Sequence, residues 1–318
     1  MQVFFWHIIC YLPLIINKNL ELDFFIPMEC QIENLCKERR LETNELYSHN
    51  DFYGHAKILK SYCGYPEKYP ILGVIPHGIY SRLVPEADLN FPLDYAFLTN
   101  EINLQEFENG GKKKPIVIGA PFLYLDKKLS QNPSTKTKEG TIVFPAHSTH
   151  YGTRYYDIEG FCKFLGSLPG EYKPITICLG WRDVQLLRHK DYENYGFICE
   201  SAGHMFDRNF HTRLHSLITK HRYTITNDLG THCFISNHLG NPVYIIKSTV
   251  KTVNPLEWAT KCNNSDNLEI FKEYERKASD LNFSNFGYQR KLSNYILGSQ
   301  HLLSENDLLK AFKLAIPK

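Results

Sequence analysis

The sequence predicts an α/β protein of two parallel-sheet domains, and three observations carry that expectation. Seven short apolar runs recur between residues 71 and 226, separated by longer segments, as in parallel strands covered on both faces. Each run ends in a polar or glycine-containing turn, and in such sheets ligands gather outside the carboxyl ends of the strands. The length, 318 residues, exceeds what one hydrophobic core usually organises.

Taken in order, the chain begins with an apolar, aromatic stretch, residues 3–16, that is too short to span a bilayer. It reads as a buried strand or helix, or else as an interfacial or signal-anchor-like segment. Residues 29–65 are polar with Cys30, Ile32, Leu35 and Cys36 at helical spacing. The apolar runs then follow: 71–75, 95–98, 115–118, 141–144, 175–179, 196–199 and 223–226. A polar, lysine-rich stretch at 126–139 reads as the linker between an N-terminal domain, 1–125, and a C-terminal domain, 140–250. A helical segment, 251–318, closes the chain with helices expected over 255–262, 267–281 and 288–316; Ser304 with Asp307 supplies a helix start.

Composition excludes several classes. With 43% hydrophobic and 14% aromatic residues the chain is not disordered, and a net charge of +2 gives no basic stripe for nucleic acid. The run Lys112-Lys113-Lys114 reads as a solvated turn. Nine cysteines without metal-ligand spacing read as buried free thiols in a reducing compartment. No nucleophile elbow, P-loop or dinucleotide fingerprint occurs.

The chemistry-bearing residues sit at strand ends. The unit 207–246 reads helix, strand, polar turn, helix, strand, with Phe210, Leu214, Leu217 and Ile218 forming the buried face of its first helix. At its turn, Asn227 to His232, Gly230 permits close approach to the backbone. Thr231 and His232 occupy the first helical turn, where free N–H groups and the helix dipole favour a phosphate. An ordinary βαβ turn is the alternative. His147 and Ser148, after another strand, suit hydrogen bonding to an anionic ligand, and Arg154 could clamp a phosphate. His77 could be a base or donor, since imidazole titrates near working pH, and Glu101 is a second candidate base. His204 could contact the donor's base or ribose. His211, His215 and His221 read as the solvated face of their helix.

The order of motifs, IPHGI, FLTNEIN, VIGAPFLYL, VFPAHSTH and TNDLGTHCFISNHLGNPVYI, resembles GT-B fold transferases of bacterial surface-polysaccharide assembly. The likeness is especially to proteins related to the CDP-glycerol glycerophosphotransferases, and a looser one is to non-hydrolysing sugar-nucleotide epimerases. The resemblance, spanning roughly residues 50–250, implies two Rossmann-like domains facing a cleft. It places His77 near the acceptor and His147 facing the cleft, both as catalytic candidates, and Gly230, Thr231 and His232 on the donor phosphate. The family's usual Asp-Tyr-Ser-Ser is replaced at that turn, which implies a different donor. Implied with it are a cytoplasmic, metal-independent glycosyltransferase of capsule or surface-glycan synthesis, with a nucleotide-sugar as co-substrate and no other cofactor. The acceptor would be a glycan or lipid-linked glycan at the inner face of the plasma membrane, with peripheral membrane association. The alternatives are a nucleotide-sugar epimerase or hydrolase of the same fold, which would need Glu101, Asp183 and Asp228 in the cleft, or a non-catalytic nucleotide-sugar-binding relative.

Overall fold

The computed structural model describes residues 31–131, 137–255 and 268–316. The apolar stretch 3–16 and the expected helix over 255–262, apart from Pro255, lie outside the described residues. No helix among the described residues is long and apolar enough to cross a membrane.

Two parallel sheets organise the chain. The first contains β1 (Gly73–Val74), β2 (Tyr95–Leu98) and β3 (Lys114–Val117) in that order. The second contains β4 (Thr141–Phe144), β6 (Ile175–Cys178), β7 (Ile198–Glu200), β8 (Tyr223–Thr226) and β9 (Val243–Ile245), in the order β7-β6-β4-β8-β9. All neighbours in it are parallel. A small antiparallel pair, β5 (Thr153–Tyr155) with β10 (Lys251–Val253), flanks it.

The continuous apolar runs are explained by burial on both faces. Ile142 and Phe144 of β4 enter one core with Leu214, Leu217, Phe234 and Ile235, while Val143 enters the other with Phe161, Cys162 and Leu165. The first core is covered by α8 (Phe210–Lys220) and α9 (Thr231–His238), the second by α5 (Ile158–Ser167). Removing such large side chains from water, at about 25 cal/mol per Å² of apolar area, is the main term holding each layer. The first sheet is likewise sandwiched, with Phe97 packed on Leu59 of α2 (His55–Cys63) and Ala96 against Tyr47 and Phe107.

Four sequence expectations change. Residues 126–129 are not linker but the last turn of a helix, α4 (Pro121–Leu129), whose Asp126 accepts from His215 at 3.0 Å and His238 at 3.2 Å. Lys113 is buried, donating to the carbonyls of Phe91 and Leu93. His211 and His221 are buried rather than solvated, because His211 meets His55 across the two halves and His221 bonds Leu217 O and Thr176 Oγ1. The single helix over 288–316 is two, Phe286–Ile296 and Glu305–Leu314, divided at Gly298.

That division has an architectural consequence. The helix Glu305–Leu314 starts on Ser304, whose side chain accepts from Asp307 N, and buries Leu308, Ala311 and Phe312 in the core of the first sheet. The last described helix therefore packs on the half that holds the first sheet. The described cysteines are free thiols, all buried but Cys199.

Candidate functional site

The order β7-β6-β4-β8-β9 reverses direction between β4 and β8, and ligands of open parallel sheets collect at that switch point. A cleft of about 480 Å³ lies there. Segments that follow seven of the eight parallel strands line it, from His77 after β1 to Thr231 after β8. Both sheets thus direct their carboxyl ends at one space.

The turn after β4 is braced from beneath. Asp183 accepts from Ser148 N at 2.8 Å and from Arg188 Nη1 at 2.8 Å, both side chains being almost fully buried. Ser148 Oγ receives Arg154 N at 3.0 Å and Arg188 Nη1 at 3.3 Å. Ser148, expected to meet ligand, is therefore buried scaffold. It leaves His147 and His150 exposed at the cleft rim.

The turn after β8 is tied to its neighbour strand. Asn227 Oδ1 accepts from Ala146 N at 2.7 Å, and Thr226 Oγ1 donates to Phe144 O at 2.6 Å. Asn227, expected on the donor, instead joins two strand ends. Gly230 has an extended backbone, φ −159°, so its missing side chain serves space rather than conformation: a Cβ would lie 2.8 Å from the His232 ring. That ring stacks on Phe144, and its Nε2 is 3.2 Å from Thr226 Oγ1. Thr231 Oγ1 accepts from Ile79 N across the cleft at 3.4 Å, joining the two halves. Arg154 is not the free clamp expected from sequence. Its Nη2 pairs with Asp228 and its Nη1 donates to Thr252 Oγ1 at 2.9 Å, while its buried Nε has no protein partner.

No protein-family model, curated protein or solved structure matches this chain.

Opposite the switch point stands His77. Burial pushes its pKa down to about 4, against the pull of Asp88, with His49 and His150 adding to the depression. It is neutral at physiological pH, so the ring has a lone pair free to accept a proton, although burial makes it a weaker base than free imidazole. Behind it Asp88, fully buried, accepts from Tyr47 Oη at 2.5 Å and Tyr80 Oη at 2.6 Å. Burial raises the Asp88 pKa, but the hydrogen bonds and the neighbouring imidazoles outweigh it and hold the group ionised. His49, His77 and Asp88 bring potential ligand atoms within 4.8 Å of one another. The two tyrosine hydroxyls already satisfy both oxygens of Asp88 and the Nδ1 of His49.

Of the residues named from sequence, His77, His147, Arg154, Thr231 and His232 line the cleft. Ser148, Asn227 and Gly230 shape it from outside that lining. Glu101 does not join them: it is exposed, 3.7 Å from His301, and lines a separate surface hollow. His204 is also displaced. It is buried beside Trp181, its Nδ1 accepting from Phe206 N, and it faces Glu38 rather than the cleft. Sequence reasoning missed Asp88, Tyr80, Tyr47 and His49. Tyr80, three residues beyond His77, was the one local signal.

The buried imidazoles give the fold an acid weakness. Burial holds His55 well below its ordinary value, and His211 and His232 at about 3. In the unfolded chain each titrates near 6.5, so below that pH the unfolded state binds more protons and stability falls. Carboxylates held low, such as Asp207, lose their contribution only under about pH 4. His238, whose pKa is raised, works in the opposite sense but is one group against several. The melting temperature is expected to fall steadily from pH 6.5 to 4, each buried histidine contributing up to about 1.4 kcal/mol per pH unit. A flat thermal-melt profile across that window would contradict the buried, neutral assignment.

Proposed function

We propose that the protein is a glycosyltransferase of the GT-B kind, moving a sugar or sugar-like phosphate from a nucleotide-activated donor to a glycan acceptor without a metal ion. The observation that carries this reading is that the switch-point turn, Asp228 to His232, and His77 of the other sheet face one cleft. The donor's diphosphate would lie at the start of α9, where backbone N–H groups, the helix dipole and the unpaired Nε of Arg154 favour negative charge. Fixed dipoles of this kind stabilise a departing phosphate as its bond to the sugar breaks. His77 would accept the acceptor's hydroxyl proton, and the freed oxygen would form the new bond. The work belongs in the cytoplasm, beside the membrane where surface glycans are assembled.

Epimerisation or hydrolysis is less well supported. The three carboxylates that such a reaction would recruit are not gathered: Asp183 is locked on Arg188, Glu101 lies elsewhere, and Asp228 alone lines the cleft.

A thermal-shift screen against UDP-, GDP-, CDP- and CMP-linked sugars tests the reading. A donor held at about 100 times its Kd should stabilise the fold by about 2.7 kcal/mol, a shift of several degrees. The donor so found should be consumed with acceptor present and spared without it. Consumption at equal rates in both conditions would transfer the assignment to an epimerase or hydrolase.

A further inference from the structure

The hydrogen bonds around Asp88 have a fixed direction, and that direction reaches His77. An ionised carboxylate has no proton to give, so Tyr47 and Tyr80 each donate their single hydroxyl proton to it. Each phenol oxygen is then left only as an acceptor. The Nδ1 of His49 lies 2.7 Å from Tyr47 Oη, and the Nδ1 of His77 lies 3.4 Å from Tyr80 Oη. To complete these bonds both rings must carry their proton on Nδ1, which leaves a lone pair on each Nε2.

We infer that Asp88 and Tyr80 are positioning residues that lock His77 in the Nδ1–H tautomer and leave its Nε2 as the basic atom of the cleft. The inference rests on His77 being the base of the proposed transfer. When Nε2 takes the acceptor's proton, the O–H bond breaks and an N–H bond forms. The imidazolium keeps its Nδ1–H on Tyr80, and the charge of Asp88, one phenol away, favours that cation. Tyr80 keeps its own proton, so no second transfer is required. The freed acceptor oxygen forms the new bond to the transferred group, and the nucleotide leaves on its phosphate oxygen with the electron pair of the broken donor bond. The proton on Nε2 passes to water after product release.

His49, Tyr47 and Asp88 mirror this arrangement on the far side, which supplies an internal control. Tyr47→Phe and Tyr80→Phe each remove one hydrogen bond from Asp88, but only the second releases His77. The test labels the histidines of the full chain with ¹⁵N and reads tautomers by NMR, with steady-state kinetics on the same variants. The expected result is a bare Nε2 on His77 in the parent and in Tyr47→Phe, and a shift away from the Nδ1–H form in Tyr80→Phe. Tyr80→Phe should lower kcat at least about tenfold with KM little changed, whereas Tyr47→Phe, which leaves the bond between Tyr80 and His77 in place, should lower it several-fold less. An unchanged His77 tautomer in Tyr80→Phe would overturn the lock, and so would equal losses in the two variants. Activity removed by EDTA and restored by Zn²⁺ or Mn²⁺ would overturn it too, by assigning His49, His77 and Asp88 to a cation. Should no donor be turned over at all, the transfer reading fails, yet the NMR arm still decides the lock by itself.

Discussion

His77→Ala is expected to lower kcat for transfer by about 10²–10⁴-fold, the usual worth of a positioned acid or base, while donor affinity changes little. The fold should survive, because the ring contributes little to either core: it lines the cleft, and its contacts are the edge of Tyr80 and T-shaped packing on His49 and Phe52. Thr231→Ala is its partner across the cleft. Losing that hydroxyl leaves Ile79 N–H without its acceptor and loosens the approach of the two halves just where donor and acceptor would meet. Its loss should therefore appear in both kcat and KM, unlike that of His77. Single-turnover rates with saturating donor separate the two effects. Parental rates in both variants would leave the proposed site without its chemistry.

The largest effect on stability is expected at Gly298. Its backbone is left-handed, φ +67°, and a Cβ there would stand 1.8 Å from Thr99 O and 3.2 Å from Gly119 Cα. Both partners are backbone at the strand ends of the first sheet, so neither can step aside. Neighbouring bonds seat the segment in the same place: Asn100 Nδ2 donates to Ile296 O, and Ala120 N donates to Leu297 O at 2.9 Å. Gly298→Ala combines a conformational penalty of about 1–2 kcal/mol with this overlap, and a total above about 3 kcal/mol is expected. Gly166→Ala is the contrast. Gly166 lies within α5 with nothing inside 4 Å of a Cβ, so alanine there should stabilise by about 0.5–1 kcal/mol. Urea midpoints of the two variants should move in opposite directions. Equal midpoints would show that the helix Phe286–Ile296 is not fastened to the first sheet as described.

Strand positions were legible because burial on both faces leaves a continuous apolar run that needs no partner to be recognised. Tyr95–Leu98, Thr141–Phe144 and Tyr223–Thr226 stand where those runs predict them. Helix register was legible for the same kind of reason, as in Phe210, Leu214, Leu217 and Ile218 of α8. The failures have a common cause. Lys113 looks solvated beside two other lysines until the carbonyls of Phe91 and Leu93 fold over it. His211 looks solvated until His55, 156 positions earlier in the chain, brings its Nε2 to 2.9 Å. Polar residues reveal their partners only when distant segments meet.

The same boundary runs through the site. Local sequence determined that His77, His147 and the Asn227–His232 turn end strands, because apolar runs stop there and polar turns begin. It also determined that Gly230 precedes a helix and that Ser304 starts one. Only the tertiary structure decided which strand ends share a cleft, since sheet order is set by pairing between strands far apart in the chain. It placed β4 beside β8, turned Ser148 and Asn227 into scaffold, tied Arg154 to Asp228, and set Glu101 and His204 aside. It also assembled Tyr47, Tyr80 and Asp88 behind His77. A hydrogen bond between residues 41 positions apart, such as Tyr47 to Asp88, leaves no period or spacing in a sequence. It exists only once the chain has paid the entropy of bringing those segments together.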